Sequence, residues 1–286
     1  MEGSEKLYTI NRLKTDFGMK PKIDANPAAW WRNRYKKDKY PVYRLSDCEK
    51  LPAKKALSDK QTRAIKMLQV NRHLAGYDKE YSNVISISKT VQNLFDARYV
   101  VLDTETTGLD DKSQIIELAI IDHNGVVLHN ARYKPTVNIS DRAYQVHGIS
   151  LDMLKNEKTI AVDADKIKNI LINNTVVIFN SSFDLRLLEQ TFHAFKIETD
   201  YISSINSFCA MNASARCYGS TNCYGSISLA DSFYEAGGKR EDWISHNALG
   251  DCQATLFVLN DIKDKQNFIN SEREKLKIRL MEQNGL

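Results

Sequence analysis

The sequence contains no run of eighteen consecutive apolar residues, which excludes the length of helix that a bilayer span requires. Its first residues lack the basic and then apolar order of a signal peptide, so we expect a cytoplasmic protein that makes no membrane contact. The five cysteines are an odd number and include no CxxC pair. The sequence therefore favours free thiols over a disulfide framework or a zinc centre.

Acidic residues are scarce in the first third of the chain. Residues 1–97 carry 20 Lys and Arg against 11 Asp and Glu, a net charge of +9, whereas the remainder of the chain carries −5. A basic extension on an acidic body suggests that the extension contacts a polyanion. The alternative is a lysine-rich segment that is merely well solvated.

Aromatic and basic residues alternate between Trp30 and Tyr40. Cations interleaved with flat rings suit a single nucleic-acid strand, because phosphates pair with the cations and bases stack on the rings. The alternative is a small aromatic cluster docked on the main domain. Trp30 and Trp31 cannot both face one core from a strand, so we expect at least one of them to serve another purpose.

Three segments are expected along the chain: a basic extension over 1–97, a catalytic domain over 98–262 and a C-terminal helix over 263–286. Within the first, Ser58 and Gln61 form a possible capping box for a helix over 59–75, and Gly76 is a possible stop. Residues 77–97 have the pattern of a linker with a short helix.

From Arg98 onward, strand and helix patterns alternate, which predicts an α/β fold with a mixed sheet flanked by helices. An Asn-Gly turn at 124–125 predicts that the sheet begins as an antiparallel meander. The predicted strands are 99–102, 115–121, 126–133, 175–179 and a weak one at 201–205. The predicted helices are 163–172, 183–195, 208–216, 227–236, 246–259 and 263–283.

Two carboxylates, Asp103 and Glu105, follow the first apolar strand directly. Residues i and i+2 of a strand share a face, so both side chains should point at one spot. Like charges that close repel unless a cation lies between them, and oxygen ligands suit Mg²⁺ or Mn²⁺. A bare D-x-E motif is more often an ordinary strand end, so this prediction depends on residues further along.

Two more acids lie where elements meet. Asp184 follows the apolar strand at 175–179, and Asp251 lies five residues after His246 in a predicted helix. On a helix these two would not be stacked, but they can flank one cavity at its start. Four acids and one histidine at element ends suit two divalent metals and in-line displacement at a phosphodiester.

Four motifs, in this order, resemble the DEDDh (DnaQ-like) family of 3′→5′ exonucleases, which includes the epsilon proofreading subunit of bacterial DNA polymerase III, exonuclease X and ribonuclease T. Each is weak alone, and together they cover about residues 98–262. The resemblance implies a ribonuclease H-like fold. The motifs are Asp103-Thr-Glu-Thr-Thr-Gly-Leu109, Tyr144-Gln-Val-His-Gly-Ile-Ser150, Asn180 to Phe183-Asp184, and His246-Asn-Ala-Leu-Gly-Asp251.

The resemblance also implies roles for individual residues. Asp103, Glu105 and Asp251 resemble ligands of a first Mg²⁺ or Mn²⁺ ion. Asp103 resembles the bridge to a second ion, which Asp184 would hold, and His246 resembles the general base. The residues that would hold or flank the terminal nucleotide are Thr106, Thr107, Leu109, Asn180 and Phe183.

We therefore expect a metal-dependent 3′→5′ exonuclease that releases nucleoside 5′-monophosphates from DNA 3′ ends, single strands preferred. An exoribonuclease is the alternative within the class, because the sugar 2′-OH is recognised by details that motifs do not carry. An alternative of another class is a non-catalytic nucleic-acid-binding or polymerase-associated module. The expected partners are nucleic acid and a polymerase or another replication or repair protein.

Overall fold

The computed structural model describes residues 6–32, 38–52 and 55–286. By its internal contacts the chain divides into an N-terminal unit, Met1–Ile65, and a main unit, Lys66–Leu286. No helix within the described residues is long and apolar enough to cross a membrane. All five cysteines are unpaired, as the sequence predicts.

The N-terminal unit contains two small antiparallel sheets around a core of Leu13, Tyr43 and Cys48. One sheet has the strand order β1-β4-β3 and the other pairs β2 with β5. Its elements are β1 (Tyr8–Thr9), α1 (Ile10–Asp16), β2 (Met19–Pro21), β3 (Ala29–Arg32), β4 (Lys39–Tyr43) and β5 (Cys48–Lys50).

Two helices occupy the region where the sequence predicts one helix and a linker. Helix α2 (Asp59–Glu80) begins at the predicted capping box: Gln61 N–H donates to Ser58 Oγ, and Ser58 N–H donates to Gln61 Oε1. The predicted stop at Gly76 is wrong, because α2 continues to Glu80. The predicted linker is also wrong, because α3 (Ser82–Ala97) fills it.

The main sheet has five strands in the order β10-β9-β6-β7-β8. Strands β6 to β8 form the predicted antiparallel meander, whereas β9 and β10 are parallel to β6. The predicted last strand at 201–205 is wrong: Ile202–Ser204 form a 3₁₀ turn, and the strand follows at Ser207. The strands are β6 (Tyr99–Thr106), β7 (Ile115–Asp122), β8 (Val127–Arg132), β9 (Thr175–Ile178) and β10 (Ser207–Cys209).

Seven helices complete the main unit. They are α4 (Asp141–His147), α5 (Leu151–Leu154), α6 (Ala164–Ile172), α7 (Ser181–Ala194), α8 (Ala210–Tyr218), α9 (Leu229–Glu235) and α10 (Ala248–Gln283). The alternation of side chains along each strand gives the sheet two buried faces. Val101 and Ala119 face a core shared with α3, α8 and α10, whereas Leu102 and Ile120 face a core shared with α6 and α7.

Helix α10 runs without a break from Ala248 to Gln283 and so joins the two helices predicted near the C-terminus, over 246–259 and 263–283. Its second half packs on the main unit. Arg273 forms a bidentate ion pair with Asp78, at 2.6 and 2.9 Å, and Ser88 Oγ donates to the Lys263 carbonyl at 2.8 Å. These long-range contacts explain why residues 77–97 are helical rather than a linker.

Candidate active site

The candidate site forms where strand β6 extends past its neighbour β9. Pairing between these strands ends at Leu102 and Ile178, so Asp103 is the first residue of β6 without a partner on that side. Pairing with β7 continues to Thr106 and keeps this projecting end of β6 extended. Alternation then places Asp103 and Glu105 on the face that α10 covers, and Thr104 on the face that α7 covers.

Three carboxylates converge at this end of β6. One oxygen from each of Asp103, Glu105 and Asp251 lies within 4.8 Å of the other two. The two acids of β6 thus share a face, as predicted, and α10 supplies the third from its first turn. The same residues line a cavity of about 200 Å³ together with Asp184 and His246.

Asp184 is held by a hydrogen bond from a residue of the sheet, Thr104. Strand β9 ends at Ile178 and α7 begins at Ser181, so Asp184 lies in the first turn of that helix. Its Oδ1 accepts a hydrogen bond of 2.7 Å from the Thr104 hydroxyl, and both side chains are buried. Thr104, which lies between the two acids of β6, therefore fixes a fourth acid, Asp184, from the other face of the strand.

Burial raises the pKa of each of the four acids that line this cavity. Burial, reinforced by neighbouring carboxylates, raises the pKa of Asp103 well above its ordinary range and that of Glu105 to about 8. Burial likewise raises the pKa of Asp184 to about 7, against the opposing hydrogen bond from Thr104. It raises the pKa of Asp251 to about 6, against Trp243 and His246. A cation among these oxygens would relieve this repulsion.

His246 lies in a loop, not in the predicted helix, because α10 begins two residues later at Ala248. Its backbone has a φ of +60°, a left-handed conformation that is uncommon outside glycine. Asn247 caps the helix: its side-chain oxygen accepts the Gly250 N–H at 3.1 Å. His246 therefore reaches the cavity from a turn rather than from a helix face.

Close packing at Gly250 shapes this turn. A Cβ atom at Gly250 would lie only 2.2 Å from the Ile244 carbonyl oxygen. Beside it, the Trp243 indole Nε1 donates to Asp251 Oδ1 at 3.0 Å. The loop thus contacts both the backbone and the acid of the first turn of α10. Trp243 was not among the predicted site residues, and no local signal in the sequence marks it.

Glu117 is a buried acid beside the site that was not among the predicted site residues. Glu117 is on β7, where it lies opposite Glu105 of β6 and opposite Arg132 of β8. Arg132 Nε pairs with Glu117 Oε1 at 2.9 Å. Its Oε2 accepts the Ala248 N–H, the first of α10, at 3.2 Å. Glu117 therefore joins the sheet to the helix that carries Asp251. A lone charge inside the apolar run 115–121 is the sequence signal that marks it.

A second cavity, of about 300 Å³, shares Thr104, Glu105 and Phe183 with the acid-lined one. Three predicted nucleotide-binding residues line it: Thr106, Leu109 and Phe183. Leu109 is 63% exposed. Asn180 lines the acid-lined cavity instead.

Thr107 and His147, near the second cavity, form hydrogen bonds with backbone groups around them. Thr107 is not among the residues that line either cavity, and its hydroxyl accepts the Gln114 N–H at 2.9 Å inside the loop. His147 lines the second cavity, but both of its ring nitrogens have backbone partners, Thr106 O at 3.1 Å and Ile149 N at 3.0 Å. Burial lowers the pKa of His147, so it is neutral at neutral pH.

A mixed sheet flanked by helices, with acids crowded at a projecting strand end, defines a nuclease with a ribonuclease H-like fold. The chain belongs to the exonuclease family described by the RNase T family model, which matches residues 100–259.

Individual relatives agree with this assignment. The uncharacterized exonuclease CP81 of Escherichia phage 186 is 30% identical over 181 residues, which are 61% of this chain and 93% of that protein. The DNA polymerase III epsilon subunit of Rickettsia typhi is 33% identical over 97 residues, 32% of this chain and 42% of that protein. The zinc-bound complex of E. coli exonuclease I with single-stranded DNA has a TM-score of 0.51 at 16% identity, covering 62% of this chain and 42% of that one.

Proposed function

We propose that this protein is a metal-dependent 3′→5′ exonuclease that hydrolyses the terminal phosphodiester of a DNA strand and releases nucleoside 5′-monophosphates. The observation that carries the proposal is the convergence of Asp103, Glu105 and Asp251 within 4.8 Å of one another. Asp184 and His246 line the same cavity. Convergence of an acid cluster and an imidazole at one cavity fits phosphodiester hydrolysis.

The donor set fits two divalent cations. All four acids offer only oxygen, which suits Mg²⁺ or Mn²⁺. Burial, reinforced by neighbouring carboxylates, raises the pKa of Asp103 and of Glu105, and a bound cation would lower both again. Asp103, Glu105 and Asp251 would hold one ion, and Asp103 with Asp184 the other. The ions would supply charge stabilisation at the phosphate and at the leaving oxygen.

His246 is the proposed general base. An imidazole ionises near neutral pH, so it can accept the proton of an attacking water during hydrolysis. The left-handed turn aims this side chain into the acid-lined cavity, and Asn247 fixes the start of the adjacent helix. A strained conformation at a residue in a cavity agrees with a functional role.

The cavity beside the acids is the proposed site for the terminal nucleotide. Leu109 and Phe183 offer apolar surfaces for the base, and Thr106 and Asn180 offer polar groups. A pocket that holds one unpaired base favours a single-stranded 3′ end, because a duplex end would first have to open. Thr107 would support the loop rather than contact the nucleotide.

Degradation of matched single-stranded DNA and RNA tests this proposal. Each strand is labelled at its 5′ end and incubated with Mg²⁺, with Mn²⁺ or with EDTA. We expect a metal-dependent ladder that shortens from the 3′ end, with DNA degraded faster than RNA. Faster loss of RNA would replace the DNA assignment with an exoribonuclease. No cleavage of either strand, with binding retained, would overturn the catalytic proposal in favour of a binding module.

A further inference from the structure

The β3–β4 ribbon of the N-terminal unit presents large aromatic side chains to solvent. Trp30 is 59% exposed, Trp31 43% and Tyr40 37%. Aromatic residues of this size usually bury most of their surface, so three exposed rings on two paired strands require an explanation. We call this feature, comprising Trp30, Trp31, Arg32, Lys39 and Tyr40, the aromatic ribbon.

The strand register separates the aromatic ribbon into two faces. Trp31 pairs with Tyr40, and their rings meet edge to face with centroids 6.5 Å apart. The neighbouring pair, Arg32 with Lys39, points to the opposite face, as does Trp30. One face therefore carries two rings in contact, and the other carries one ring and two cations.

The two cations of the aromatic ribbon are available for an anionic partner. Among the described residues, neither Arg32 nor Lys39 forms an ion pair with an acid. Other cations of the same unit are paired, Arg12 with Asp16 and Lys20 with Glu49. Both ribbon cations are exposed. Their charge therefore complements a phosphate backbone rather than a protein acid of this unit.

We propose that the aromatic ribbon binds a single-stranded polynucleotide, as a site additional to the acid-lined cavity. A base would stack on Trp30, and phosphates would contact Arg32 and Lys39 on the same face of the ribbon. A duplex fits less well, because its bases are already stacked and offer no free face. The proposal rests on the proposed function only in taking the bound strand to be the substrate.

Equilibrium binding of the full-length protein tests the proposal without any hydrolysis. Fluorescence anisotropy in EDTA compares a labelled oligothymidylate with an abasic strand of equal length, which keeps the phosphates but has no bases. Replacing Trp30 and Trp31 together by Ala should weaken oligothymidylate binding about 10- to 100-fold, because base–aromatic stacking is lost. Binding of the abasic strand should change little.

Charge variants test the phosphate contacts separately. Replacing Arg32 and Lys39 by Ala should weaken binding of both strands. It should also reduce the slope of log Kd against log salt by about 1.4, because each phosphate contact to a single strand contributes about 0.7. Lys50→Ala, an exposed cation of the same unit on strand β5, is the matched control and should change the slope less.

Two further controls address folding and nonspecific loss of apolar surface. Trp30→Phe with Trp31→Phe keeps the rings and should restore most of the oligothymidylate affinity. Ile23→Ala removes a side chain that is 94% exposed in the same unit but off the ribbon, and it should leave binding unchanged. Circular dichroism of each variant checks the fold. Equal losses for the abasic strand and the oligothymidylate in the Trp variant would overturn the stacking assignment.

Hydrolysis of a trinucleotide separates this proposal from the catalytic one. A trinucleotide has only two nucleotides beyond the terminal one proposed for the cavity beside the acids, so we expect the Trp variant to hydrolyse it at the wild-type rate. A parallel loss on the trinucleotide would overturn the assignment of an additional site. If the wild-type protein hydrolyses nothing, the catalytic proposal fails, and the binding comparison in EDTA still decides the ribbon.

Discussion

The two helices that bring acids to the site, α7 and α10, are held in different ways. Asp184 on α7 is fixed from the sheet, because Thr104 of the central strand donates to it directly. Asp251 on α10 depends on a loop, because Trp243 donates to it and His246 reaches the cavity through a left-handed turn. On the α7 side the fixing side chain, Thr104, belongs to a paired strand, whereas on the α10 side it belongs to a loop, at Trp243. Substitutions of residues other than the acids should therefore displace Asp251 and His246 more than Asp184.

The largest effect is expected at Asp103, because it is the acid that we propose as a ligand of both ions. Asp103→Ala should reduce cleavage by about 10³-fold or more, because it removes the proposed ligand common to both ions. Strand binding in EDTA should be retained, because binding depends on many phosphate contacts. Single-turnover cleavage and anisotropy measure the two quantities. Asp111→Ala, an exposed acid nearby in the sequence, is the control. Substantial residual cleavage in Asp103→Ala would contradict the metal assignment.

The next largest effect should fall on the α10 side, at a residue with no side chain. Gly250→Ala places a Cβ against the Ile244 carbonyl and should displace the turn that carries His246. We expect kcat to fall about 10²-fold, since a misplacement of about 1 Å costs that much. Gly76→Ala is the matched control: no atom lies within 4 Å of its Cβ in the interior of α2, so it should be neutral or stabilising. Unchanged activity in Gly250→Ala would show that the turn tolerates displacement.

A smaller effect is expected at Glu117, which joins the sheet to the α10 side. Glu117→Gln keeps an oxygen acceptor for the Ala248 N–H but removes the charge that pairs with Arg132. We expect kcat to fall about 10-fold with little change in KM, because the residue positions the start of α10 and does not touch the substrate. Arg132→Ala should have a similar effect. The double variant should lose less than the sum, since the two residues share one interaction. Strict additivity would contradict this coupling.

The sequence predicts those parts of the site that depend on local patterns. Alternation along one strand is sufficient to place Asp103 and Glu105 on one face, and the apolar run before Asp184 locates the end of β9. The conformation of His246 could not be predicted, because it depends on the contact between Gly250 and Ile244 rather than on any periodicity. The helical state of 77–97 likewise depends on a contact with a helix 175 residues further along the chain, between Ser88 and Lys263. Glu117 was visible as a charge among apolar residues, yet its partners were not.

The smallest expected effect is on the free energy of unfolding, compared in the absence and in the presence of divalent cations. In EDTA, burial raises the pKa of Glu105 from 4.5 to about 8 and that of Asp184 from 3.8 to about 7. Between pH 4 and 8 the folded state thus binds more protons than the unfolded state. The free energy of unfolding should therefore fall as pH rises, by roughly 1–4 kcal/mol over this range.

Thermal unfolding at pH 5, 6, 7 and 8 measures this slope. With Mg²⁺ present the decrease should become smaller or reverse, because cations bind the ionised acids of the folded state alone. Asp103→Asn should stabilise the protein in EDTA at pH 8 and lose the response to Mg²⁺. A midpoint that rises with pH in EDTA would show that Thr104, Trp243 and solvent already compensate the charge on these acids. Hydrogen bonds, rather than cations, would then be what holds Asp184 of α7 and Asp251 of α10 together in the site.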